Sequence, residues 1–508
     1  MKNKQSIILL LVLLFVLVGA SGPMLLTQLT KQQLAGKDVY SKGMGMTDVK
    51  ITAQMSGVSV PATVMACVNC HNADGSGNPE GGITPSNITW KELTKNYGGN
   101  LQNQRKRPAY TERSLRNAIS SGIDPAGNEL HNAMPRYVMS REDMDNLISY
   151  LKVIGDENDV GISNSTIKIG VSLPQNNKAP QGKNEALIKL VNAYVSNLNE
   201  SGGLYHRKIE PYFFTNASEM EAEEYFMVLG EGYDYVERKI NQSQTPGLLS
   251  HSSALTKQGL QNPYGFYMYP SLIIQSTALI DYAKSEGFLT KDTSIFIAHE
   301  ESSLVQGIVE YCKEQYSIEP TVIQLQKNNI AAIGAHPKIG NNDLILYLGG
   351  QQLGNPLLQH FQENEKSPYI LVPGTIASIN LFETPANIRN NVFFGYPTWP
   401  SERTSKGKEM YQTLKSNYAL SENWKGSQWE MLAQLTTVEE ILKRGGKKLY
   451  KDKIKEGFEG LFRYYNGLSP ALSYDLNRRV GSSLMYIIGL NEKGNGIQMI
   501  TAFNTSER

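Results

Sequence analysis

The chain has 508 residues, a formal net charge of +1 and a charged fraction of 19 %. This balance excludes a strong overall electrostatic field toward nucleic acid or an anionic membrane. The length is too great for one ordinary domain, so the composition predicts at least two domains.

The first 26 residues have the pattern of an export signal. Lys2 and Lys4 precede an apolar run at 7–18, and small residues follow at 19–22, which is the arrangement of a secretory signal peptide. Residues 23–26 extend the apolar character toward the length that spans a bilayer. We therefore predict either a cleaved signal peptide or an uncleaved anchor with its lysines in the cytoplasm. Both place the rest of the chain in the periplasm, soluble or tethered to the cytoplasmic membrane.

A Cys-x-x-Cys-His motif at residues 67–71 is the most specific signal in the chain. It is the attachment signature of a c-type haem, whose vinyl groups bond both thiols and whose iron binds the histidine. A thioredoxin-like pair is disfavoured because a turn-rich run follows, and a zinc site because no second ligand pair exists. The motif predicts one covalent haem c on Cys67 and Cys70, with His71 as an axial ligand. Cys312, the remaining cysteine, is then an inert thiol without a disulfide partner.

Met134 is the predicted second axial ligand. Methionine opposite histidine raises the reduction potential relative to two histidines. His131 is the rival ligand, whereas Met139 and Met144 are expected in the core. With both axial positions filled, substrate cannot reach the iron, so we predict single-electron transfer, no catalytic residues and no enzymatic activity.

The segments 127–135 and 140–151 resemble the C-terminal part of the class I cytochromes c, in which a loop presents the methionine and a terminal helix packs across the first helix. The resemblance implies an all-α monohaem cytochrome c domain over residues 36–155. We expect Ser140 to cap the terminal helix, with Asp143 in the capping-box position.

Less specific expectations concern the surroundings of the haem. Pro79 or Pro85 supplies the carbonyl that accepts the hydrogen bond from His71 Nδ1. Tyr110 and Arg136 either reach the haem propionates or pack at the surface. The insert between Gly45 and Ala66 carries no chemistry that we can assign.

A polar linker at 156–165 precedes alternating strand and helix patterns, which predict parallel sheets covered by helices. The first strand covers 167–174. The other predicted strands are 208–214, 225–229, 293–298, 343–348, 369–372 and 391–396, and the predicted helices are 185–199, 271–287 and 302–316.

Local phrases in this half resemble the type I periplasmic solute-binding proteins, the family that includes branched-chain amino-acid receptors. The matching phrases are Ile167–Val171, Asn199–Ile209, Val228–Gly230, Gly247–Ser250 and Asn391–Tyr396. The resemblance implies a two-lobed α/β domain over residues 166–508, with a small-molecule ligand in the cleft and hinge closure around it.

The residues that this resemblance assigns to the cleft are Tyr233, Ser252, Ser253, Glu300 and Gln351. We expect the two serines to donate to an oxyanion. The loop at 373–376 lacks the acidic residue that binds the amine in this family, so Glu300 or Glu301 substitutes for it. The ligand is then an amino acid, or equally a neutral or anionic molecule with aromatic contacts.

Together these patterns predict an exported electron-transfer protein whose partner is a periplasmic redox protein, either a donor dehydrogenase or a terminal acceptor. The second domain either docks that partner or gates the transfer. The alternative is the solute-binding component of a membrane transport system with an accessory haem sensor. Basic runs at 443–448 and 451–455 form a solvated helix end, or alternatively dock an acidic redox partner. No nucleic-acid partner is expected.

Overall fold

In the computed structural model the chain divides into two compact units, with the boundary between Ser163 and Asn164. The structure describes residues 29–77, 82–95, 106–155, 159–176, 179–252, 262–300, 303–326, 329–334, 336–375, 377–491 and 493–505. None of the helices within these ranges is long and apolar enough to cross a bilayer. The predicted leader at 1–26 lies outside them.

The first unit contains five described helices. They are α1 Lys31–Lys42, α2 Val68–His71, α3 Trp90–Leu93, α4 Glu112–Ser121 and α5 Arg141–Leu151. Ser140 caps α5 by accepting from the Asp143 backbone N–H over 3.0 Å, as predicted. The Asp143 carboxylate does not complete a capping box, because it accepts from the Ser140 hydroxyl, Thr47 Oγ1 and the Met46 N–H instead.

Helices α1 and α5 cross in close contact, as the resemblance to cytochromes c implies. A Cβ atom on Gly36 would lie 2.0 Å from the carbonyl oxygen of Asn146, so the crossing requires glycine at this position. Beside it, the rings of Tyr40 and Tyr150 lie 5.5 Å apart in the core. The Tyr40 hydroxyl also donates to Asn72 O over 2.5 Å, which connects the crossing to the end of the Cys-x-x-Cys-His motif.

The prediction of an all-α first domain is wrong for the described residues. Strands β1 Thr52–Met55, β2 Val58–Pro61 and β3 Arg136–Val138 form an antiparallel sheet in the order β2-β1-β3. The insert between Gly45 and Ala66 supplies the β1–β2 hairpin. Its turn, Ser56–Gly57, has positive φ at both residues, as tight hairpins require. The strands are short and mostly exposed, so they lack the alternation that predicts a strand.

The second unit begins with a parallel five-stranded sheet in the order β5-β4-β6-β7-β8. Its strands are β4 Thr166–Ser172, β5 Lys208–Phe214, β6 Met227–Gly230, β7 Gly247–Leu249 and β8 Gly265–Tyr267. The connecting helices are α6 Lys183–Glu200, α7 Ala217–Glu221 and α8 Asp234–Gln242. The predicted strands at 167–174 and 208–214 correspond to β4 and to β5, the edge strand that pairs with it.

A second sheet of seven strands has the order β10-β9-β11-β12-β13-β14-β15 and is parallel up to β13. Its strands are β9 Ile295–His299, β10 Thr321–Gln324, β11 Leu344–Leu348, β12 Tyr369–Pro373, β13 Val392–Tyr396, β14 Leu484–Leu490 and β15 Ile497–Asn504. The helices α9 Leu272–Ser285, α10 Val305–Tyr316, α11 Ile330–Gly334 and α12 Gln351–Glu363 connect them. The alternation of strands and helices is thus confirmed. The antiparallel hairpin β14–β15 was not predicted.

The chain passes between the two sheets three times. It leaves the first sheet after β8, returns after β13, and leaves again before β14. Three helices, α13 Ser405–Tyr418, α14 Lys425–Gly445 and α15 Lys451–Glu459, lie between the last two passages. The first and third passages are bonded side by side, since the Tyr267 N–H donates to Arg479 O and the Gly481 N–H donates to Tyr267 O, both over 2.8 Å.

Candidate haem site and candidate binding cleft

His71, the last residue of α2, is prepared to bind a metal through Nε2. Its Nδ1 lies 2.9 Å from the carbonyl oxygen of Ser86. A carbonyl can only accept, so Nδ1 carries the hydrogen and Nε2 keeps its lone pair. Burial lowers the pKa of His71, against the opposing effect of the Ser86 carbonyl, and favours the neutral ring that a metal needs.

The carbonyl acceptor is therefore one residue beyond the predicted Pro85. A Cβ atom on Gly77 would lie 2.2 Å from the Pro85 oxygen, so that carbonyl faces Gly77 and not the imidazole. The other predicted acceptor, Pro79, lies outside the described residues.

Cys67, the N-cap of α2, and Cys70, within that helix, are free thiols, the first partly buried and the second exposed. Burial raises the pKa of Cys67 to about 12, against a hydrogen bond with Tyr137. Two thiols beside an imidazole with a free Nε2 are the donor set that a covalent haem requires. Val64 and Ile83, in the segments before and after the motif, are apolar side chains that are 65 % and 39 % exposed. These residues fit a c-type haem.

Arg136 holds the loop that presents Met134. Its guanidinium donates to the carbonyl oxygens of Leu130, over 2.9 Å, and of Met134. A Cβ atom on Gly122 would lie 1.8 Å from Arg136 Nε, so only glycine leaves room for this side chain. Arg136 was predicted either to reach a propionate or to pack at the surface, and the structure instead binds it to the loop backbone. Tyr110 is buried beneath the Arg107 guanidinium, whose carbon lies 4.4 Å from its ring centre.

Strand β3 joins this loop to the attachment helix. The Tyr137 hydroxyl donates to Met65 O over 2.6 Å and is in hydrogen-bond contact with the Cys67 thiol. Met134 lies three residues before Tyr137 on the same segment. The rival ligand His131 is exposed, and its Nδ1 accepts from the Ala133 N–H over 3.1 Å, which commits that nitrogen to the turn. The local contacts thus favour Met134 as the axial ligand.

We expect the variant Arg136→Gln to release the Met134 loop. Two hydrogen bonds from a charged group are lost, which costs about 2–4 kcal/mol of unfolding free energy. In the haem-loaded protein the sulfur-to-iron charge-transfer band of the ferric form should weaken, and the midpoint potential should fall. Arg113→Gln, at an exposed position of α4, is the matched control. An unchanged band and potential in Arg136→Gln would show that this arginine does not position the methionine.

The residues predicted for the cleft lie on different sheets. Tyr233 follows β6 in the first sheet, where its hydroxyl accepts from the Gln175 N–H over 3.3 Å. Ser252 is buried, and its hydroxyl donates to Glu237 Oε1 over 3.1 Å, so it is engaged inside the first sheet and does not offer a free donor as predicted. Ser253 and Glu301 lie outside the described residues.

Glu300 and Gln351 belong to the second sheet. Glu300 follows β9, and a Cβ atom on Gly350 would lie 3.8 Å from its Oε1, so this carboxylate lies over the glycine turn that precedes Gln351. Gln351 is exposed at the start of α12. This pair stands at the carboxyl ends of parallel strands, where open α/β sheets bind ligands.

A charged cluster at the corresponding edge of the first sheet was not predicted from the sequence. Helix α14 crosses the end of β6, because the Gly230 N–H donates to Gln434 Oε1 over 2.7 Å. This contact places Glu430, one helical turn before Gln434, near Glu231, the residue after Gly230. Lys183 at the start of α6 and Arg403 before α13 also act on the Glu430 carboxyl. Among the described residues, none of these four side chains forms an ion pair within 4.0 Å.

The cluster contains a carboxyl that titrates near neutral pH. Burial and the neighbouring Glu231 raise the pKa of Glu430 to about 7, against Lys183 and Arg403. Ser250 donates to Glu231 Oε2 over 3.1 Å and lies 2.9 Å from His251 Nδ1. Burial lowers the pKa of His251. Because the Ser250 hydroxyl gives its one hydrogen to Glu231, Nδ1 of the His251 ring donates to Ser250 Oγ.

Aromatic side chains complete this edge. Tyr269, after β8, and Tyr396, at the end of β13, are both influenced by the charge of Glu430. The Arg403 guanidinium carbon lies 5.0 Å from the ring centre of Trp429. Because β8 belongs to the first sheet and β13 to the second, groups from both sheets surround Glu430. Sequence reasoning missed the cluster, since its members come from distant segments and carry no motif.

Comparison with known proteins divides the chain in the same way. Residues 61–154 match the family model of cytochrome c. The fatty acid ABC transporter substrate-binding protein from Thermomonospora curvata matches with a TM-score of 0.55 and 16 % identity, over 69 % of this chain and 95 % of its own. A branched-chain amino acid ABC transporter protein from Thermus thermophilus with bound valine gives 0.54 and 11 %, over 68 % and 98 %.

A leucine-binding protein from Thermotoga maritima gives a TM-score of 0.50 and 12 % identity, over 68 % of this chain and all of its own. Identities this low establish the fold alone. No curated protein matches the sequence.

Proposed function

We propose that this chain, in which a cytochrome c domain precedes a domain with the fold of the type I periplasmic binding proteins, is an exported single-electron carrier with a fused small-molecule-binding domain. The observation that carries the proposal is the bond from His71 Nδ1 to Ser86 O. It leaves Nε2 free beside two thiols, which is the donor set of a covalent haem. The family match over 61–154 supports the same reading.

The residues that hold the haem have separate roles in this proposal. Cys67 and Cys70 attach it, His71 and Met134 bind its iron, and Arg136 keeps the methionine loop in place. The haem, when bound, supplies an iron that accepts and releases one electron. With His71 and Met134 both bound to the iron, no position would remain for water or substrate, so electron transfer rather than catalysis is the expected activity.

In the second domain we place the ligand between two lobes, each built on one sheet, with Glu231, Glu430 and Arg403 at the edge of the first and Glu300 and Gln351 at the edge of the second. The three chain passages form the hinge, and closure around the ligand either docks a redox partner or gates the transfer. The partner is a periplasmic donor dehydrogenase or a terminal acceptor.

The proposal is tested on protein matured in a host that attaches haem c. We expect reversible changes in the absorption spectrum between oxidised and reduced protein, and single-electron exchange with a redox dye. A thermal-shift screen of small metabolites identifies the ligand through the stabilisation that binding confers. Midpoint potential and transfer rate are then measured with and without that ligand. If neither changes, the gating part of the proposal fails while the electron-transfer part stands.

Copurification with a permease, together with tight ligand binding and no exchange of electrons with redox partners, would instead favour the solute-binding component of a transport system. The exchange of electrons with redox partners, measured on the same preparation, thus distinguishes the two functions.

The charge of the ligand can be determined through Glu430. An anionic group bound beside this carboxyl raises the pKa of Glu430 further, so Glu430 takes up a proton on binding. A cationic group lowers this pKa, so Glu430 releases a proton on binding. Affinity therefore falls as pH rises through about 7 for an anion and increases for a cation. Titration calorimetry in buffers of different ionisation enthalpy gives the sign directly.

Glu430 also predicts a pH dependence of stability. The pKa of Glu430 is 4.5 in the unfolded chain and about 7 in the folded chain. At a pH between these two values the unfolded chain has released the proton, whereas the folded chain has kept it. Unfolding free energy therefore falls as pH rises through this window, by about 3 kcal/mol. Glu430→Gln should be more stable than the wild type at pH 8 and equal to it at pH 4. Glu409→Gln, exposed on α13, is the control. A constant difference between Glu430→Gln and the wild type across this range would contradict the assignment.

A further inference from the structure

A basic face lies on the second unit, at the end of the first sheet opposite to the candidate binding cleft. We define it by Tyr205, Arg207, Lys208, Lys443, Lys447 and Lys448. The residues come from the turn before β5 and from the end of α14 with the segment after it. All are exposed except Arg207, which is half-buried. The near-zero net charge of the chain conceals this local concentration of cations.

Hydrogen bonds hold the two parts of the face together. The Tyr205 hydroxyl donates to Lys443 O over 2.6 Å, and Arg207 Nη1 donates to Lys447 O over 3.0 Å. Both acceptors are carbonyls at or just beyond the carboxyl end of a long helix, where cations are favoured. The positive groups are therefore fixed on one rigid surface.

The turn that carries Tyr205 is strained. Leu204 and Arg207 exchange backbone hydrogen bonds of 2.9 and 3.0 Å across a two-residue turn. Both central residues, Tyr205 and His206, have positive φ, 52° and 66°. Such turns favour Asn-Gly, because larger side chains crowd the backbone in this conformation. Strain of this kind persists mainly where a surface has a function.

The positive charge of the face is only partly balanced. Glu439 pairs with Lys443 on the same helix. Within the described part of the chain, Lys208, Lys447 and Lys448 form no ion pair. These ammonium groups are point charges without the fork that recognises a single carboxylate. Tyr205 is the one aromatic member of the face, which therefore lacks the apolar centre that a stable protein interface needs.

We propose that this face docks the second unit on an anionic lipid bilayer. Lysine clusters bind the diffuse charge of such a surface, and an exposed tyrosine is suited to its interface. The Lys208 N–H donates to Ser165 O over 2.7 Å, so the docked face lies where the second unit begins. The parallel strands of the first sheet begin at the docked edge and end at the opposite one. The carboxyl end of β4, at Ser172, and the carboxyl ends of its neighbours therefore face away from the docked face.

The test uses the full chain with vesicles of phosphatidylcholine, either alone or mixed with an equal amount of phosphatidylglycerol. Binding common to both kinds of vesicle is subtracted, because residues 7–18 are apolar. We expect preferential binding to the anionic vesicles that weakens with salt. Neutralising Lys208, Lys447 and Lys448 to glutamine should lower this affinity about a hundredfold, at about fivefold for each lysine.

A control variant makes the same change of net charge elsewhere, with Lys291→Gln, Lys338→Gln and Lys408→Gln at exposed positions. It should keep the affinity of the wild type, and circular dichroism confirms that both variants fold. Equal losses in the two triple variants would overturn the proposal, since net charge alone would then explain binding. Absence of any preference for anionic vesicles would overturn it as well, and would point to an acidic protein partner.

Discussion

The variant Cys67→Ala/Cys70→Ala is expected to be colourless after acid–acetone extraction, whereas the wild type keeps its pigment. Both thiols stand on one helical turn beside a neutral imidazole, so they supply the two covalent bonds to the haem. Loss of these bonds leaves a non-covalent haem that extraction removes.

Cys312→Ala is the matched control. This thiol is fully buried on α10, where burial raises its pKa to about 11 and keeps it inert. We expect Cys312→Ala to keep the full amount of extraction-resistant pigment. Each single variant, Cys67→Ala or Cys70→Ala, should keep pigment through the remaining bond. Pigment retained by the double variant, or a colourless wild type, would refute haem attachment at this motif.

The variant Met134→Leu is expected to lose the weak sulfur-to-iron band of the ferric spectrum and to lower the midpoint potential by about 0.1 V. Axial ligands set haem potentials over a range of about 0.8 V, and methionine raises the value. Leucine keeps the volume of the side chain, so the loop should pack as before. Absorption spectra and a potentiometric titration measure both effects.

His131→Ala separates the two candidate ligands. Because His131 is exposed and its Nδ1 accepts from the Ala133 N–H, we expect this variant to keep the band and the potential of the wild type. The opposite result, an unchanged Met134→Leu and a His131→Ala with an altered spectrum, would assign the ligand to His131. Loss of the band in both variants would mean that the turn as a whole positions the ligand.

The sequence predicts those parts of the fold in which burial leaves a continuous apolar pattern. Strand β4 is of this kind, and so is α9, because central parallel strands and covered helices are apolar along their length. The hairpin β1–β2 has no such pattern, since most of its residues are exposed. Its partner β3 lies far away along the chain, and a pairing of this kind leaves no local mark.

The candidate sites divide in the same way. The two cysteines and His71 carry a motif, so sequence reasoning found them. The carbonyl of Ser86 carries no side-chain signal, and the prediction missed it by one residue. The sequence predicted a haem propionate as one partner of Arg136, because a guanidinium binds carboxylates. Its actual partners are the backbone carbonyls of Leu130 and Met134, which any residue type provides, so no sequence pattern marks them. Glu430 became visible only when α14 was placed across the end of β6.

The pairing of β1 with β3 has a consequence for the order of assembly. On the histidine side the key contact joins His71 to Ser86, a short loop that closes at little entropic cost. On the methionine side the loop depends on Ala53 facing Tyr137, which are far apart in sequence. Pairings between distant segments form late in folding. We therefore expect the His71 side of the site to form first in refolding chains, with the Met134 loop becoming ordered in the last kinetic phase.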